Sequence, residues 1–196
     1  MTALIILAVT ASVAANSVVQ LALGVDLVVS AASRGRRRLL VPAAAMLFSG
    51  LLCWPLFAYV LSPLALGFLE PLLLFPLASL VSVVTERVMA GRHSGPAAKS
   101  EGASAYAAFG GLAYGSAWLS FRLSSSMLDV LVVSVSCAAG FIVSGVLLDG
   151  IRHRSLIEGV PRTLRGMPLV LISAGLLALL SSFVASAAFT ALGVGR

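Results

Sequence analysis

The sequence predicts an all-α membrane protein of six transmembrane helices, and three observations carry that expectation. Hydrophobic residues make up 60% of the 196 and charged residues only 10%, where an ordinary soluble domain carries about a quarter charged. The apolar residues gather into six runs, each near the ~20 residues a helix needs to cross a hydrocarbon core of roughly 30 Å. The basic residues fall in alternate connections, eleven of the thirteen on one side of the bilayer and two on the other. A net charge of +6 therefore has a topological use, and no nucleic-acid partner is expected.

Span 1, about 3–30, is the awkward one. At 1.5 Å per residue, residues 2–32 would reach about 45 Å, so the helix must tilt, break or end early. It carries Asn16, Gln20 and Asp26 inside the crossing. Asn16 and Gln20 lie one helical turn apart, and serve either as a polar intramembrane site or as hydrogen bonds across a helix interface. Asp26 is a carboxylate near membrane depth, which marks an ion path by default; its alternative is an interfacial ion pair with Arg34 or Arg36. The run does not read as a cleavable signal, because it lacks a basic leader and continues past the length of such a signal's apolar region.

Span 2, about 39–61, holds Pro42 near its start and Pro55 in its interior, where the missing N–H predicts a bend. Span 3, about 64–86, begins at Leu64 or Phe68, has Glu70 and Pro71 near its outer end, and finishes at Glu86-Arg87. Residues 91–102 have a soluble loop's composition and divide the chain into two three-span halves, 1–90 and 103–196. Span 4, about 103–121, contains Gly110, Gly111 and Gly115, and small residues four apart mark a helix-packing face. A polar turn over 122–127 leads to span 5, about 128–148, closed by Asp149 and Arg152. The basic loop that follows holds Arg152, Arg154, Arg162 and Arg165 around Gly159-Val160-Pro161, and span 6 covers about 167–192. Those arginines are candidates for docking a cytoplasmic subunit or anionic headgroups, although topological bias accounts for them by itself.

Counting Lys and Arg puts loops 1–2, 3–4 and 5–6 in the cytoplasm and both termini outside. With three spans per half, span 4 crosses in the opposite direction to span 1, which is the geometry of an inverted 3+3 repeat. In such folds the sites lie near the midplane on corresponding broken helices. No Ser-His-Asp set, phosphate-cradling glycine loop or metal-ligand cluster is present, and His93 and His153 sit in basic loops. Cys53 and Cys137 fall inside spans as small apolar packing groups, with no zinc or disulfide spacing.

The stretch Asp149-Gly150-Ile151-Arg152-His153-Arg154, then 159–166 from Gly159-Val160-Pro161 to Arg165-Gly166, then Leu171-Ile172-Ser173-Ala174-Gly175-Leu176, resembles the RnfA and NqrE type of membrane subunit. That family belongs to the Rnf and Nqr ion-translocating electron-transport complexes of bacteria. Thr85-Glu86 and the pattern of Asn16 followed by Leu23-Gly24 are similar to the family as well. The resemblance implies a six-helix inverted repeat in the cytoplasmic (inner) membrane. It also implies a sister subunit of RnfE/NqrD type with opposite topology, and an iron-sulfur cluster held by one cysteine from span 1 and one from span 4 of each subunit. Here Asp26 and Gly111 stand at those two positions. Cluster iron takes thiolate ligands, so the expectation is that this chain alone binds no cluster and that Asp26 holds a cation or proton instead. The residues themselves leave two other readings open: a small inverted-repeat transporter or channel acting alone or as a homodimer, with Asn16, Gln20 and Asp26 along its pathway, and a purely structural membrane partner.

Overall fold

The computed structural model describes residues 2–14, 16, 39–61, 69–90, 102–157 and 167–191. All regular structure among these is helical. Helix α1, Thr2–Val9, runs into a π-helical turn, Thr10–Ala14; α2 is Leu40–Leu56 with a second π-helical turn, Phe57–Leu61; α3 is Glu70–Ala90. Helices α4, α5 and α6 are Gly102–Leu123, Met127–Ile157 and Met167–Ala191.

Local sequence accounts for the boundaries. Pro55 has no N–H to return to the preceding turn; just beyond it the Phe57 N–H is shared between Cys53 O and Trp54 O, and the π-helical turn follows. Pro71 and Pro168 are each the second residue of their helix, where a missing donor costs nothing and the fixed φ suits a first turn. Ser126 opens α5 through a reciprocal cap. Its Oγ accepts the Asp129 N–H at 3.3 Å, and Asp129 Oδ2 accepts the Ser126 N–H at 3.0 Å. The other end of α5 departs from the sequence expectation. The helix does not stop at Asp149–Arg152 but continues to Ile157, since no proline interrupts it and Arg154 in the last turn complements the C-terminal dipole.

Among the described residues four helices are long and apolar enough to cross a membrane: residues 40–60, 70–89, 127–151 and 168–188. Helix α4 is not among them. Its 22 residues would reach about 33 Å, yet Ser104, Tyr106, Tyr114, Ser116, Ser120 and its glycines dilute it. Packing explains the difference, because α4 is enclosed by α2, α3 and α5 and so meets protein where the others meet lipid. Helix α5 has half of its membrane-length window buried and α6 only 17%.

Helix α2 packs on α3, α4 and α5, while α1 and its π-helical turn pack on α5 and α6, and α5 packs on α6. On α5 the buried positions Val130, Val133, Ser134, Cys137, Phe141, Ser144 and Leu148 recur at helical spacing. Val133, Cys137, Phe141 and Leu148 join Met46, Ala43, Leu112 and Leu119 in one apolar cluster, and a second gathers Cys53, Leu74, Ala78, Ala113 and Ala117. Outside these, large apolar side chains are exposed on α1, α2, α3, α5 and α6, including Leu72, Leu128, Leu179 and Phe183. So much exposed apolar surface is incompatible with water and fits acyl chains.

Candidate intramembrane polar site

Polarity here is turned inward. Asn16, Ser49, Ser82, Thr85, Ser116, Ser120, Ser134 and Ser144 are all buried, and two junctions collect most of them.

At the first junction α1 meets α5. Asn16 Nδ2 donates to Ser12 O one turn back and to Ser144 Oγ of α5, each at 3.0 Å. Gly140 makes that approach possible: a Cβ there would sit 2.6 Å from Ser12 O and 3.0 Å from Asn16 Nδ2. One turn away, Cys137 Sγ lies 3.7 Å from Ala11 O. The π-helical turn at Thr10–Ala14 lies immediately ahead of Asn16, and such turns interrupt the regular i→i−4 pattern.

The second junction joins α2, α4 and α5. Ser49 Oγ lies 3.0 Å from both Ala113 O and Ser116 Oγ, and Ser116 Oγ is 3.2 Å from Met46 O. Ser120 Oγ lies 3.2 Å from Ser134 Oγ. Gly50 faces that last pair, and a Cβ on it would collide with Ser134 Oγ. Each hydroxyl finds a partner in the bundle, so this junction binds helices together; such bonds contribute about 0.6 kcal/mol apiece in membranes.

Of the sequence candidates, Asn16 is thus buried and held by α5. Gln20, Asp26, Arg162 and Arg165 lie outside the described residues. The backbone of Gly110 is helical, Gly111 is half-buried and Gly115 is buried; the glycine that meets Asn16 is Gly140 of α5. Arg152 belongs to the last turns of α5, and Arg154 is exposed there. Gly111 has no side chain to offer a metal. Cys53 and Cys137 are free thiols in separate apolar clusters, and the described residues hold no group of three His, Cys, Asp or Glu suited to a metal ion.

Sequence reasoning passed over Ser49-Gly50, the Ser116/Ser120 pair, Gly140 and Ser144. The four-residue spacings Ser116 to Ser120 and Gly140 to Ser144 were the available signal. It also passed lightly over Glu70, which is 8% exposed and has an Oε1 without a hydrogen-bond partner.

Together, an all-helical architecture, four membrane-length apolar helices and an inward-facing polar set define an α-helical membrane protein. No family model matches the chain, and no curated protein matches it either.

Proposed function

We propose that the chain is an integral membrane subunit of an Rnf- or Nqr-like electron-transport complex. In this reading it has six spans in an inverted repeat with both termini outside the bacterial cytoplasmic membrane. It sits beside a sister subunit of opposite topology and contributes to ion translocation without iron-sulfur ligands of its own.

The observation that carries this is the pattern of helix packing. Exchanging α1 with α4, α2 with α5 and α3 with α6 maps the α2–α4 contact onto α5–α1, α3–α4 onto α6–α1 and α2–α3 onto α5–α6, and leaves α2–α5 on itself. The exchange is incomplete, since the α4–α5 contact would map onto α1–α2, and the described residues of those two helices share no substantial contact. Local features follow the same exchange. Gly50 of α2 and Gly140 of α5 each admit a polar group from a neighbouring helix, and α3 and α6 open with Glu70-Pro71-Leu72 and Met167-Pro168-Leu169. A pseudo-twofold in the membrane plane is how inverted-repeat ion carriers are built. The resemblance of 149–176 to RnfA and NqrE subunits narrows the class, and the basic bias of alternate loops supports the orientation.

The test is purification of the tagged full-length chain from its native membrane in mild detergent. The expected result is co-purification with a second six-span subunit and flavin-bearing partners, with no iron on the isolated chain. A chain that purifies alone and moves ions in vesicles overturns the redox reading in favour of an independent transporter or channel. Iron-sulfur absorbance on the chain by itself overturns the absence of ligands.

A further inference from the structure

Glu70 lies in the first turn of α3, buried against the bundle, with its Oε1 shielded from solvent and lacking a donor. Tyr114 of α4 stands nearby. Its ring meets Phe75, one turn further along α3, edge-on at 5.9 Å, and its hydroxyl lies within electrostatic range of the Glu70 carboxyl. The N-terminal dipole of α3 favours an anion here, but offsets only part of the cost of burying a carboxylate.

Among the described residues no cation pairs with Glu70 Oε1. By sequence the outer side has only Arg122 and Arg196 in the six-span reading, and residues 62–68 leading into α3 have none. Arg122 is placed over the Trp118 ring at 5.5 Å, two turns beyond Tyr114 along α4. A buried carboxylate without a counter-charge among these residues calls for a mobile one.

We propose that Glu70, flanked by Tyr114, binds a small monovalent metal cation, Na⁺, entering from the outer face between α3 and α4. This rests on the ion-translocating reading above and supplies it with a cation-handling group apart from the two polar junctions. Na⁺ is a single positive charge small enough to reach a carboxyl oxygen that no side chain satisfies.

Infrared difference spectroscopy on the full-length chain reconstituted in lipid tests this, comparing sodium with choline chloride at fixed neutral pH. The carboxylate stretch is expected to shift on adding sodium, and the shift to be lost in Glu70→Gln. Tyr114→Phe keeps the ring against Phe75 and removes the hydroxyl, so it displaces the sodium-dependent band; it keeps the test open should Glu70→Gln fail to fold. A bare carboxylate signal indifferent to sodium overturns the proposal, and so does a band unaltered by either variant. Such a result would assign the counter-charge to a partner subunit. The spectra need no redox partner, so loss of translocation in an assembled complex with these bands intact would count against the proposed function and leave the site standing.

Discussion

Replacing Gly140 by alanine tests the α1–α5 junction with a single methyl. The added Cβ would stand 2.6 Å from the Ser12 carbonyl oxygen and 3.3 Å from its carbon, both backbone atoms, and 3.0 Å from Asn16 Nδ2. Backbone cannot swing aside as a side-chain tip does, so α1 must move off α5 and take the Asn16–Ser144 hydrogen bond with it. Overpacking costs about 1–3 kcal/mol, and an interhelical bond in a membrane adds about 0.6, at most about 1.7 kcal/mol. Better helix propensity returns up to about 1 kcal/mol, leaving a net loss of about 1–3 kcal/mol. The control is Gly150→Ala on the same helix, where nothing lies within 4 Å of the new methyl, so only the propensity gain applies. Reversible unfolding in mixed micelles, read by circular dichroism, compares the two. Equal stability of Gly140→Ala and Gly150→Ala would refute the described packing of α1 on α5.

Gly50→Ala should destabilise by about 1–3 kcal/mol through collision with Ser134 Oγ; adding Ser134→Ala should recover part of the loss, and strict additivity in the double-mutant cycle would refute that contact. Cys53 and Cys137 are both buried, so neither should react with maleimide in the folded protein and both should after denaturation, which mass spectrometry reads directly. In a background with both cysteines changed to alanine, Ser125→Cys, at the exposed turn before α5, should be labelled by an impermeant maleimide on intact cells. Arg154→Cys, exposed at the far end of the same helix, should be labelled only after lysis. The reverse pattern would overturn the proposed orientation.

Much of the helical framework could be read from hydropathy, because membrane-length apolar runs leave few alternatives for a backbone that must satisfy its own hydrogen bonds. The extension of α5 to Ile157 could not, since Asp149-Gly150 looks like a stop and only the absence of a true breaker decides otherwise. Within the candidate site, Asn16 was legible by polarity alone. Its partner was not, because Ser144 is 128 positions away in sequence and serine is too common in these helices to stand out. Gly50 and Gly140 were hidden for a similar reason: the glycines of span 4 cluster visibly, whereas a solitary glycine shows its purpose only when the group it admits is in place. Glu70 looked like an interfacial residue from its position beside Pro71, and only burial with an orphaned oxygen sets it apart.

The weak apolarity of α4 bears on how the protein is made. A segment so rich in glycine, serine and tyrosine partitions poorly from the insertion machinery into lipid by itself, and its natural shelter is the groove offered by α2 and α3, which emerge from the ribosome first. In the six-span reading, the earlier half of the chain therefore acts as an intramolecular chaperone for the helix that begins the later half. Truncations that remove α2 or α3 should strand α4 on the wrong side of the membrane.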